Sequence, residues 1–206
     1  MFKLYYTPNT CALASHIALE QAGAVYEAIR VDFAANEQRK PEYLAINPKG
    51  RVPSLVTERG ILTETPAILV FIAQSYPNSR LAPLDDPFAL AQLQAFNSYL
   101  CSTVHVAHAH RMRGTRWADD PAAIAEMQRK APQAVSACFE LIERGMLKGP
   151  WVMGESYSIC DPYLFTLAQW LEADGVNTGK LPRVMDHRRR MAEHPVVRNV
   201  LAAELR

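Results

Sequence analysis

The 206-residue chain lacks an excess of either charge: twenty-two basic side chains oppose twenty-one acidic ones, for a formal net charge of +1. That balance excludes the broad positive field that gathers nucleic acid or anionic lipid, and it points to a ligand that is small or neutral overall. Long apolar runs are missing too. No uninterrupted stretch reaches the ~20 residues that span a bilayer, and the opening MFKLYYTPNT has no apolar core of a secretory signal. A cytoplasmic protein with neither membrane nor nucleic-acid partners is expected. Cysteine is scarce: Cys11, Cys101, Cys138 and Cys160 are scattered with no CxxC pair, which suits neither a zinc site nor a disulfide framework. Reduced thiols are the expectation.

The 49% hydrophobic content supplies an ordinary core. FKLYYT alternates Phe2, Leu4 and Tyr6 against Lys3, Tyr5 and Thr7, the period of a strand. From Ala12 the period changes to a helical one, with Leu13 and Ile17 on one side, His16 and Glu20 on another, and Gly23 at the closing position. VYEAIRVD, residues 25 to 32, reads as a second strand, parallel to the first if the helix is a right-handed crossover. After a loop and a short helix near PEYLAI, RVPSLVTERGILTE gives two strands around a turn at Glu58-Arg59-Gly60. TPAILVFIAQSYP is a helix, with Thr65 as N-cap and Pro66 at the first helical position.

The order βαβ(α)ββα is a thioredoxin-like topology. The proline-rich PNSRLAPLDDP breaks the pattern, so the chain divides into an α/β thioredoxin-like domain over 1–78, a linker over 79–87 and an all-helical domain over 88–206. Helices are expected over 88–112, 121–146, 159–173, 183–193 and 195–203. Asp120-Pro121 is one start signal, and the Ser158 hydroxyl with the Asp161 carboxylate forms a variant capping box at another.

Three fragments carry chemistry. Cys11 stands at the N-terminus of the first helix, where unpaired N–H groups and the dipole lower a thiol pKa. A buried cysteine can be a small apolar filler, but placement just after the Pro8 turn favours the reactive reading. Position 14 is alanine, so any redox chemistry is monothiol. Val52-Pro53 interrupts an apolar strand, which marks an exposed edge. Glu64 and Thr65 open the third helix, a place for a carboxylate with an acidic side chain beside it to take an ammonium, together matching a free α-amino acid group. A thiol-bearing helix start, a strand edge and an amino-acid-sized charge pair describe a site for a small thiol peptide.

YTPNTCALASHIAL, NPKGRVPSL, TETPAI and YSICDPYLFTLAQW, in this order and spacing, resemble the corresponding motifs of bacterial cytosolic glutathione S-transferases, specifically the cysteine-type beta class. The resemblance runs over nearly the whole chain. It implies conjugation of glutathione, a co-substrate, to hydrophobic electrophiles, with no tightly bound cofactor or metal and with a homodimer as the assembly. It further implies that Cys11 contacts the glutathione sulfur, that Val52, before a cis Pro53, pairs its backbone with the cysteinyl unit, and that Glu64 and Thr65 hold the γ-glutamyl end. His105 matches a histidine that points at the thiol. Electrophile-pocket candidates lie on or just past the helix bearing it: Tyr99, Val104, His108, Met112 and Trp117.

The chain departs from that pattern in three places. Ala12 stands where relatives have serine, Asn36 stands where they have a glutathione-binding lysine, with Arg39 and Lys40 nearby, and a cross-site asparagine aligns with Ser98, beside Asn97. Tyr6, where other classes place a catalytic tyrosine, alternates with Leu4 and is expected to face the core. Two other functions compete: a glutathione-dependent thiol transferase, in which Cys11 forms a mixed disulfide, and a non-enzymatic carrier of apolar ligands.

Overall fold

The computed structural model describes residues 1–205. The first half is a four-stranded sheet built from β1 (Phe2–Tyr6), β2 (Tyr26–Arg30), β3 (Ser54–Thr57) and β4 (Gly60–Thr63), in the order β2-β1-β3-β4. β1 and β2 are parallel across the connecting helix α1 (Ala12–Gln21), with Leu4 opposite Ala28. β3 runs antiparallel to both β1 and β4, and a two-residue turn, Glu58-Arg59, joins it to β4. α2 (Pro41–Leu44) is a single turn, and α3 (Thr65–Ser75) closes the thioredoxin-like unit.

Two expectations are corrected here. β3 is an interior strand, so Pro53 does not mark an edge; it precedes Ser54, the first residue paired to β1 at Tyr5, where its missing N–H interrupts no ladder bond. The Val52-Pro53 bond is cis. Thr65 is also not the N-cap of α3: Glu64 is, at φ 72° and ψ 117°, which puts Thr65 and Pro66 inside the first turn. A non-glycine residue at such a φ costs ~1–3 kcal/mol, and strain of this kind gathers at functional sites.

Beyond the turn Pro77–Ser79 the chain is helical: α4 (Pro87–Tyr99), α5 (His105–Arg113), α6 (Pro121–Leu141), α7 (Cys160–Ala168), α8 (Pro182–Glu193) and α9 (Pro195–Glu204). Asp86 and Asp120 cap α4 and α6 through their carboxylates. α4 passes into α5 through a π-helical turn, Leu100–Val104, inside what the sequence pattern reads as one helix. The reading 159–173 shortens to α7, with turns following.

One apolar cluster runs from Leu4 and Leu55 in the sheet through Ile68 and Leu69 of α3 to Tyr163 and Leu164 of α7, joining the two halves. α1 is gripped between the sheet, α3, α7 and α9, so every residue from Ala12 to Leu19 is buried. His16, expected on a polar side, is therefore inside; its Nδ1 meets Glu204 Oε1 at 2.8 Å, between the rings of Tyr6 and Tyr26. Tyr6 is buried beside Leu4. In the capping box of α7, Asp161 accepts from the Ser158 and Val152 backbone N–H groups and from the Ser158 hydroxyl, and its Oδ1 lies 3.0 Å from His187 Nε2. Among the described residues no helix is long and apolar enough to cross a membrane.

Candidate active site

A cavity of about 390 Å³ opens between the two halves. Its sheet-side wall is set by three local structures. Asn9, at φ 60°, turns the chain out of β1, and the Thr10 hydroxyl accepts from the Ala12 N–H at 3.3 Å, which starts α1. Cys11 follows as the residue flanking α1, half-buried at the cavity. The loop before β3 is held from behind: Tyr43 OH and Asn47 Nδ2 both donate to the Arg51 carbonyl, at 2.6 and 2.8 Å, and Asn47 also reaches the Ser54 hydroxyl. That presents Val52 and Pro53 to the cavity, with the Val52 carbonyl accepting from Cys11 Sγ at 3.5 Å. Glu64 and Thr65 complete the wall, Glu64 paired with Lys49.

The opposite wall comes from α5 and α7. His105, His108 and Met112 lie one helical turn apart along α5, and Trp117 follows. Trp170 stacks on His108 at 4.2 Å between centroids and touches His105 at 5.3 Å. Asp174, buried, accepts from Arg111 Nε and meets His108 Nδ1 at 2.7 Å, which fixes that ring. Cys11, Val52, Pro53, Glu64, Thr65, His105, His108, Met112 and Trp117 thus face one space.

Tyr99 and Val104 do not. Val104 is buried in the core, and the Tyr99 hydroxyl donates to the Cys138 carbonyl at 3.2 Å. Val104 directly precedes His105 and so points about 100° away from it around the helix, while Tyr99 lies before the π turn Leu100–Val104, which shifts the residues ahead of it relative to the face of α5. Asn97 is buried and Ser98 exposed, neither lining the cavity. At the unmatched lysine, Arg39 and Gln38 line the cavity, while Asn36 and Lys40 do not.

The electrostatics differ from the sequence expectation at Cys11. Its thiol is pushed up to about 11 by burial, against a lowering hydrogen bond from Thr65. The N–H groups expected to favour a thiolate are already spoken for: Ala12 donates to the Thr10 hydroxyl, Leu13 to the Thr10 carbonyl and Ala14 to the Cys11 carbonyl. Near neutral pH Cys11 is thus a thiol whose S–H is a donor. His105 is pulled down to about 4, chiefly by burial, then by His108, Arg116 and Arg51. It is neutral at pH 7 and carries one ring N–H.

Sequence reading missed Arg51, Arg113, Arg116, Tyr163 and Trp170 on the cavity wall and named Arg39 only as a neighbour of the unmatched lysine position. Trp170 closes the segment YSICDPYLFTLAQW, and its indole is the one local sign in the sequence of an aromatic wall there. The arginines carry no local signal, because residues far apart in the chain bring them together.

Residues 1–74 match the family model of the glutathione S-transferase N-terminal domain. Over 206 residues the chain is 31% identical to a glutathione S-transferase of Escherichia coli O157:H7, covering 98% of both. Among solved structures, a glutathione transferase homologue from Sulfitobacter with bound glutathione superposes with a TM-score of 0.95 at 46% identity, over 98% of each chain. A beta-class glutathione S-transferase of Sphingomonas chungbukensis superposes at 0.86 and 32% identity, again over 98% of each. Similarity that runs the full length, through both the sheet and the helices that enclose the cavity, makes the chain a member of the glutathione S-transferase family.

Proposed function

We propose that the protein is a cysteine-type, beta-class enzyme that joins glutathione to an electrophile with an apolar body. The observation that carries this reading is the convergence of Cys11, Val52, Glu64 and Thr65 on one cavity faced by His105. The γ-glutamyl group lies against Glu64 and the start of α3, its carboxylate toward the helix N-terminus and its ammonium toward Glu64. The cysteinyl backbone meets Val52, which brings its sulfur to Cys11.

Conjugation begins with glutathione giving up its thiol proton to solvent. Two donors hold the resulting anion: the His105 N–H and the Cys11 S–H, turned from the Val52 carbonyl. The sulfur then attacks the electrophile, which rests on His108, Met112, Trp117 and Trp170. Conjugation is favoured over disulfide exchange through Cys11 because burial keeps that thiol protonated. The enzyme acts as a cytoplasmic homodimer, with light scattering above 23.1 kDa as the check on assembly.

The test is turnover of 1-chloro-2,4-dinitrobenzene with glutathione, set beside reduction of a mixed disulfide. Saturable conjugation that survives Cys11→Ala supports the proposal. Disulfide reduction alone, abolished by that substitution, supports the thiol transferase instead, and binding of apolar dyes with no turnover supports a carrier.

A further inference from the structure

Four arginines line the cavity, Arg39 and Arg51 from the sheet half and Arg113 and Arg116 from the end of α5 and the turn after it. None has a carboxylate within salt-bridge distance among the described residues, which also holds for Arg30, Arg59, Arg80, Arg183 and Arg198, whereas Arg111, Arg129, Arg144, Arg188, Arg189 and Arg190 each have one; what sets the four apart is that they share one cavity. The single acidic side chain described on the cavity wall, Glu64, is held by Lys49. The near-zero net charge of the chain thus conceals a strongly positive cleft.

Glutathione does not balance this charge. With its thiol ionised it carries two carboxylates, one ammonium and one thiolate, a net charge of −2. In the binding mode proposed above, between Val52 and α3, its glycyl carboxylate would lie at the end away from Glu64, on the side of the cavity lined by Arg39 and Gln38. Two positive charges are left over, and Arg113 and Arg116 stand on the helical wall, next to Met112 and Trp117. The four charges also sense one another: burial and then Arg51, Arg113 and Arg39 pull the Arg116 guanidinium below its ordinary value.

We infer that the electrophile is itself an anion, a flat unsaturated or aromatic carboxylate, whose charged group is held by Arg113 and Arg116 with Arg51 across the cleft, and whose apolar body lies on Trp170, Met112 and Trp117. A guanidinium fork suits a planar carboxylate, which can take two parallel N–H bonds. The inference rests on the glutathione-conjugation reading and adds the charge of its second substrate.

A matched pair of probes tests it: 4-chloro-3,5-dinitrobenzoate and its methyl ester. In both, the glutathione sulfur forms a bond to the ring carbon bearing chlorine, the C–Cl bond breaks with its electrons leaving as chloride, and the thiol proton goes to solvent. Each kcat/KM is divided by the rate with glutathione alone, which removes the intrinsic difference in reactivity. The carboxylate is expected to be preferred by about tenfold or more, the preference shrinking as salt is added.

In the double variant Arg113→Gln, Arg116→Gln the preference should fall by about tenfold, chiefly through KM for the benzoate. Arg116→Lys alone keeps the charge and should retain most of the preference, which separates lost recognition from lost folding. Equal normalised rates for acid and ester, or a preference that the double variant leaves intact, overturn the inference while the conjugation reading stands. No turnover of either probe removes both.

Discussion

In the mechanism proposed above, replacing His105 by alanine removes one N–H donor from the sulfur anion without touching the sheet wall against which the tripeptide is proposed to lie. A hydrogen bond to a charged group contributes ~1.5–3 kcal/mol. The lower end applies, because the His105 ring is neutral at pH 7. A loss of about 1.4 kcal/mol corresponds to a tenfold fall in kcat and a rise of one unit in the bound thiol pKa.

The assay is kcat against pH over roughly 5.5 to 9 with glutathione saturating. On the acid limb, where rate follows the thiolate fraction, the variant should run about tenfold slower. The curves should draw together at high pH, where the thiol is ionised in both. KM for glutathione should change less, since in the proposed binding mode Val52, Glu64 and Thr65 hold the peptide. A full kcat with an unshifted profile would mean that His105 only packs against Trp170 and that its assigned role is wrong.

The same residue sets a pH dependence of stability. The folded chain keeps His105 neutral down to about 4, against 6.5 for the free side chain, so below 6.5 the unfolded chain binds the proton first. Stability from this group is present above pH 6.5 and is lost as pH falls toward 4; a melting temperature that drops less steeply in His105→Ala is the expected result. Alkylation of Cys11 should keep accelerating with pH beyond 9 instead of levelling off near neutrality, since burial pushes its thiol up to about 11; rapid labelling at pH 6.5, read by peptide mapping, would contradict this. Asp161→Ala should cost roughly 3 kcal/mol, because it orphans the Val152 and Ser158 N–H groups in the core, seen as a drop of about 6–12 °C in melting temperature. Gly50→Ala should raise the Kd for glutathione measured by calorimetry by about tenfold, since at φ 60° the added Cβ would stand 2.8 Å from the Gln38 carbonyl and displace the segment that carries Arg39.

The elements with a clean period or a strong turn residue were readable from sequence. β1 shows its alternation, Gly23 ends α1 at φ 66°, and the Glu58-Arg59 turn brings Thr57 opposite Gly60. What stayed hidden depends on contacts between distant segments. His16 looked polar because nothing local tells that α9 returns to supply Glu204. Tyr99 is not a pocket residue because the π turn that follows it cannot be seen in a 3.6-residue period and a one-residue shift turns a side chain to another face, and Val104 is not one because, next to His105, it points to a different side of the helix. The Cys11 thiol runs against the sequence expectation because position at a helix start does not reveal how far the folded chain buries the sulfur. The positive cleft is the largest omission, as an average over the chain cancels what four arginines concentrate.

The central claim is that the cavity holds glutathione as its thiolate. It is tested most directly by titrating thiolate absorbance in the complex. All four cysteines of the protein are held above their ordinary values by burial, so absorbance gained below pH 9 reports the bound peptide. The account predicts saturable binding and a bound thiol pKa at least one unit below the ~8.5 of an ordinary thiol, unchanged in origin when Cys11→Ala removes the enzyme's own sulfur. A bound thiol that titrates like the free one, or no saturable binding, would contradict it.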